Sequence, residues 1–160
     1  GLFGHLLPAF KKASGIDIEI KSDPALYDTY QPRPARFAEL VVDQIDSLGI
    51  GDRCIIQSFD PAVLEAVHSL NEELPLALLV ENADGLGANL TRLRFTPQYY
   101  SPAAALVDKE LVKALRDRGI ALLVWTVNDT KDMERLITMG VSGIITDRPD
   151  RLIALLDAGE

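Results

Sequence analysis

Gly15-Ile16-Asp17-Ile18-Glu19-Ile20-Lys21 alternates without a break: Ile16, Ile18 and Ile20 take one side, and Asp17, Glu19 and Lys21 take the other. That period of two predicts a β-strand over 15–21 with an apolar face and a charged face. A Pro- and Tyr-rich connection follows over 23–34. Phe37, Leu40, Val41, Ile45 and Leu48 then recur at helical spacing, with Pro34 in the first turn and Gly49 just past the end, which predicts a helix. Cys54 to Phe59 reads as a second strand. Asp60-Pro61 ends it and starts another helix: Asp60 can cap free N–H groups, and Pro61 stands where no donor is lost.

Farther along, Leu76–Glu81 predicts a third strand and Asn82–Ala88 a Gly- and Asn-containing loop. A short strand is expected near Leu93–Thr96, then a loop through Tyr99, Tyr100 and Pro102. Asp108 opens a helix that closes at Gly119. Strand Ala121–Val127, a helix from Asp129 to Gly140, strand Gly143–Asp147 and a last helix from Pro149 complete the series. About six strands, each followed by a helix or a long loop, imply parallel strands joined by right-handed crossovers.

The 160 residues are 48% hydrophobic and 25% charged, which predicts a single folded domain. The net charge of −8 repels polyanions at long range, so a nucleic-acid partner is not expected. Apolar runs such as Leu76–Val80 fall short of the roughly 20 residues of a bilayer-crossing helix, so no integral membrane segment is expected. Cys54, the only cysteine, begins an apolar run and reads as a buried small side chain, with no intramolecular disulfide.

Two parallel architectures compete. An open doubly wound sheet asks for a Gly-rich phosphate-binding turn, and Gly85-Leu86-Gly87 offers only a weak match. A barrel asks for polar residues at the C-terminal ends of several strands. Glu19 and Lys21, Gln57 and Ser58, Glu81, Thr126 and Asn128, and Thr146 and Asp147 meet that request. If the charged face of 15–21 points into a barrel, a carboxylate and an ammonium two residues apart suit a divalent cation and a phosphoryl oxygen. A solvated edge strand would carry the same residues.

Ile18-Glu19-Ile20-Lys21, Gln57-Ser58-Phe59-Asp60, Phe95-Thr96-Pro97-Gln98-Tyr99-Tyr100-Ser101-Pro102, Val124-Trp125-Thr126-Val127-Asn128 and Gly143-Ile144-Ile145-Thr146-Asp147-Arg148-Pro149 occur in this order. In that order they resemble the glycerophosphodiester phosphodiesterases, from about Leu2 to Leu156. The resemblance implies an α/β fold, a (β/α)8 TIM barrel of which this chain holds roughly the last six βα units. It implies hydrolysis of a small-molecule glycerophosphodiester to glycerol 3-phosphate and an alcohol, with a divalent cation, Ca2+ or Mg2+. By that resemblance Glu19 is a metal ligand, Lys21 is the catalytic group near the phosphate and a substrate contact, and Trp125 lines the mouth of the substrate pocket. Phe59, which follows Ser58 at a strand end, either walls the same pocket and binds substrate or merely packs.

Family members begin with a strand ending His-Arg-Gly, then Glu-x-Asp, then a segment ending His-Asp. These carry the acid/base histidines and two further metal carboxylates, and none occurs here. His5 and His68 match neither position and read as structural or surface residues. The expectation is therefore a C-terminal portion of a longer, working enzyme that is inactive alone. Asp17 could support the metal site or pair with a neighbour, and Asp147 reads first as part of a helix entry. Two rival functions stay open: a catalytically dead ligand-binding barrel, and an unrelated barrel lyase or isomerase in which Lys21 forms a Schiff base. Neither composition nor resemblance sets the compartment or the oligomeric state.

Overall fold

The computed structural model describes residues 15–158, so His5 lies outside the described residues. Its strands are β1 (Ile16–Glu19), β2 (Cys54–Ser58), β3 (Leu76–Val80), β4 (Tyr99–Pro102), β5 (Ala121–Val124) and β6 (Gly143–Ile144). Its helices are α1 (Pro34–Leu48), α2 (Pro61–Leu70), α3 (Leu86–Leu90), α4 (Lys109–Asp117), α5 (Thr130–Met139) and α6 (Pro149–Ala158). The strand order is β1-β2-β3-β4-β5-β6, and the β1–β2, β2–β3, β4–β5 and β5–β6 ladders are parallel. Among the described residues no helix is long and apolar enough to cross a membrane. The chain divides into two compact units, one running up to Leu78 with Leu93–Phe95, the other taking Leu79–Arg92 and the residues from Thr96 on.

In the first unit the alternation of β1 survives as predicted: Ile16 and Ile18 are half-buried, Ile20 is buried, and Asp17, Glu19 and Lys21 are exposed. β2 sets Cys54, Ile56 and Ser58 on one face, all fully or almost fully enclosed, and α2 packs on it. Cys54 is a free, buried thiol, raised above the usual thiol range first by burial. α1 packs against α2, supplying Ala38, Val42 and Ile45 to the core. It stops at Gly49, whose φ of 57° is left-handed, a conformation in which glycine alone carries no Cβ penalty.

Asp60 does more than cap. Its Oδ1 accepts the Ala62 N–H at 2.9 Å, starting α2, while its Oδ2 accepts the Ser22 hydroxyl at 2.5 Å and the Tyr27 hydroxyl. Gln31 continues the chain of bonds, with Nε2 donating to Ser22 Oγ at 3.1 Å and Oε1 accepting the Asp23 N–H at 3.1 Å. Ser58 Oγ donates to the Ile20 carbonyl at 2.7 Å and accepts the Asp60 N–H at 3.1 Å. The Pro- and Tyr-rich connection after β1 is thus fastened to the start of α2 at the strand end that carries Lys21.

The segment Leu93–Thr96 is not a strand, contrary to expectation. Its groups are spent elsewhere: Leu93 is a buried apolar plug, the Arg94 N–H donates to the Glu65 carboxylate, and Phe95 stacks on His68 with centroids 4.0 Å apart and planes 12° from parallel. The strand lies where a loop was expected, at Tyr99–Pro102. There Ala121 N donates to the Gln98 carbonyl at 2.9 Å, and Ala103 N to the Val80 carbonyl at 2.9 Å. Pro102 closes the strand, so its missing N–H interrupts little of the ladder.

In the second unit, Asp108 caps α4 through the Leu111 N–H at 2.7 Å, and Asp129 caps α5 through Lys131 N at 2.9 Å. α5 ends at Gly140, φ 81°, where an added Cβ would stand 2.9 Å from Arg116 Nη2. β5 ends at Val124 and β6 at Ile144, both shorter than expected, although Trp125, Ile145 and Val127 just beyond them still donate backbone bonds to the Pro102, Val124 and Ile145 carbonyls.

Replacing Ile56, which is fully buried, by Ala should cost about 3 kcal/mol. The same truncation at Leu40, 42% exposed, should cost less than about 0.5 kcal/mol in urea unfolding. Tyr27→Phe should cost about 1 kcal/mol by breaking the bond to Asp60. Burial first, then that hydrogen bond, push the Tyr27 phenol up to about 12. A folded-state pKa raised above the unfolded value favours folding only while the phenol keeps its proton. Tyr27's share of stability is therefore intact below pH of about 10 and is lost as pH climbs to about 12. The phenolate absorbance lost in Tyr27→Phe should be the part that appears above the ordinary phenol range in the parent, and Asp60→Asn should bring that part forward.

Candidate functional site

β1 and β2 run parallel with Asp17 opposite Ile55 and Glu19 opposite Gln57, and Gln57 is opposite Ala77 of β3. Partners across a parallel ladder project on the same face. Glu19, Gln57 and Ala77 therefore form one row, with Asp17 one step earlier on β1. This face is opposite the one on which Ile56 meets α2. Ile20 N donates to the Gln57 carbonyl at 2.8 Å, extending the ladder past β1, so Lys21 and Phe59 stand one step beyond Glu19 and Gln57. The first unit thereby brings together three of the four residues expected from sequence: Glu19, Lys21 and Phe59. Glu19 and Lys21 are exposed and Phe59 is half-buried.

The electrostatics of this face are unbalanced. Asp17 and Glu19 are two carboxylates on one strand face, and the ion pairs of the described residues, such as Arg33–Asp28 and Arg36–Glu39, do not involve them. Solvent reaches Asp17, yet protein crowds it. Burial, and after it the charge of Glu19, push the Asp17 carboxyl up to about 6. The suggested ion pair of Asp17 with a neighbour is absent among the described residues. Gln57 is only 9% exposed, and its Oε1 has no hydrogen-bond partner among them.

Mg2+ and Ca2+ are held by six or more oxygens. Among the described residues no group of three or more His, Cys, Asp or Glu is placed to hold a metal ion. The donors present are oxygens of the kind such cations prefer, so they fit in chemistry but supply part of a coordination shell.

In the second unit Trp125 follows β5. Its Nε1–H donates to the Ser101 carbonyl at 2.7 Å, which fixes the indole and leaves a half-buried ring. Asn128, read from the sequence only as a polar strand-end residue, is a hub. Its Nδ2 donates to Asp147 Oδ2 at 2.9 Å, and its Oδ1 accepts Thr146 Oγ1 at 3.0 Å and Asp147 N at 2.9 Å. Thr146 Oγ1 in turn accepts the Arg148 N–H at 2.9 Å, so at the helix entry expected from Asp147 or a neighbour it is the neighbour Thr146 that bonds the backbone ahead of α6. Asn82 and Asn89 form a second amide pair, each Nδ2 donating to the other's Oδ1 at 3.0 and 2.9 Å. A cleft of 390 Å³ lined by Asn82, Leu86, Tyr100 and Asp108, among others, includes none of the residues expected to act.

The sequence profile described as the Glycerophosphoryl diester phosphodiesterase family matches residues 5–151. A glycerophosphodiester phosphodiesterase of Caldanaerobacter subterraneus is 31% identical over 90% of this chain and 56% of its own length. One from Bacillus subtilis is 35% identical over 91% of this chain and 50% of its own. The chain thus spans about half the length of these relatives. A glycerophosphodiester phosphodiesterase structure from Parabacteroides distasonis matches with TM-score 0.81 at 25% identity, over 98% of this chain and 64% of that one. The fold is matched again, at TM-score 0.75 and 18% identity, by an Oleispira antarctica phosphodiesterase in complex with the product sn-glycerol-3-phosphate, over 89% of this chain and 55% of that one. The fold class is that of these α/β barrels, about half of which this chain covers, and the chain belongs to the glycerophosphoryl diester phosphodiesterase family.

Proposed function

We propose that the full-length protein hydrolyses glycerophosphodiesters to glycerol 3-phosphate and an alcohol, and that this chain supplies substrate and cation contacts but no proton-transfer group. The observation that carries the reading is the end of β1, where Glu19 and Lys21 stand on one face, exposed and in register with Gln57 and Phe59. Glu19 is assigned as a ligand of Ca2+ or Mg2+. When bound, such an ion neutralises charge on the phosphate as water replaces the alcohol at phosphorus.

Lys21 offers a compact ammonium to a phosphoryl oxygen. The Asp60–Ser22–Tyr27 bonds hold the backbone just beyond it, so the ammonium is presented from a fixed base. Phe59 offers an apolar wall to the glycerol or alcohol moiety. Trp125, its N–H already committed to Ser101, offers a ring face and no donor. The glycerol 3-phosphate held by the Oleispira antarctica relative supports the substrate class. Among the described residues Lys21 is exposed, whereas Schiff-base lysines are activated in desolvated pockets.

Lys21→Ala in the full-length protein should lower kcat/KM for glycerophosphocholine by about 100-fold. Glu19→Gln should weaken Ca2+ or Mg2+ binding by at least about tenfold, with a matching loss of turnover. Metal-dependent turnover by the purified 160-residue chain would overturn the claim that it is inactive alone. Borohydride trapping of a carbonyl substrate on Lys21 would favour the lyase reading.

A further inference from the structure

We infer that Gln57 is an additional, uncharged oxygen donor to the divalent cation assigned to Glu19, an inference that rests on the function proposed above. Buried polar atoms in native proteins almost always find a partner, yet Gln57 Oε1 is enclosed and has none among the described residues. The side chain is not free to swing its backbone out of the way, because the Gln57 carbonyl accepts from Ile20 N at 2.8 Å and β2 is paired on both sides. Its neighbour in the row on one side is Ala77, whose methyl can neither donate nor accept. Its neighbour on the other side is Glu19, which when ionised only accepts. An acceptor set in a row of acceptors is answered by a cation or by a donor brought in from outside the row.

The carboxylates favour the cation. Asp17 and Glu19 already concentrate negative charge on this face, and a third carboxylate would add repulsion. An amide oxygen adds coordination without adding charge, as backbone and Asn or Gln carbonyls do in oxygen-rich cation sites.

The test is Ca2+ binding by titration calorimetry on the full-length protein, with thermal unfolding in EDTA as control. Gln57→Met keeps the length of the side chain and removes the oxygen. It should weaken the Ca2+ Kd about tenfold while leaving the metal-free Tm unchanged or higher, since an unanswered acceptor is gone. Gln57→Glu, which retains an oxygen, should bind Ca2+ no more weakly than the parent, and it decides the matter if Gln57→Met does not fold. Parental affinity in Gln57→Met alongside loss in Glu19→Gln would overturn the role of Gln57 and leave the proposed function standing. Unchanged affinity in both variants, or no Ca2+ binding by the parent, would overturn both. Weaker binding with a lowered metal-free Tm would make Gln57 a packing residue and overturn the assignment.

Discussion

The β1–β2 register is the constraint on which everything at the candidate site depends. Side chains on a strand alternate with a period of two, so a slip of one residue would exchange the faces of β1. Ile18 would then stand where Glu19 stands, and three isoleucines would face the row that contains Gln57. What prevents the slip is the difference between the two faces: Ile16, Ile18 and Ile20 lose water-exposed area in the native register, and Asp17, Glu19 and Lys21 keep theirs. Hydrophobic burial on one face therefore positions ionic chemistry on the other. The bonds from Ser58 to the Ile20 carbonyl and to the Asp60 N–H lock the same register at the strand end.

Much of this was legible in the sequence because it is local. The period of two in 15–21, the Asp-Pro start of α2, and the glycines that end α1 and α5 are decided by residues a few positions apart. Asp60, Asp108 and Asp129 each cap the helix that follows, as their place before an apolar stripe implies. The error over 93–102 has the opposite cause. Tyr99–Pro102 has no alternation of its own, and its ladder bonds come from Val80 and from Ala121, about 20 residues away in either direction. Leu93–Thr96 has some strand character, but its backbone and side chains are claimed by Glu65 and His68 in α2.

The site was legible to a similar depth. Glu19, Lys21 and Phe59 could be read as strand-end residues because strand ends are where such folds place chemistry. The second bonds of Asp60, to Ser22 and Tyr27, could not be read, since they join residues more than 30 positions apart through side chains. Gln57 was visible only as a polar residue closing a strand. Its enclosure, and the lack of a partner for its Oε1, are properties of the packed row and of no single segment.

Trp125 is the only tryptophan in the sequence, and its indole N–H is held by the Ser101 carbonyl between adjacent parallel strands. That bond makes the ring a built-in optical reporter. Loosening of the β4–β5 strand end would release the indole to water and shift its emission to longer wavelength. Fluorescence therefore reports on one place, the end of the β4–β5 ladder, without any added label.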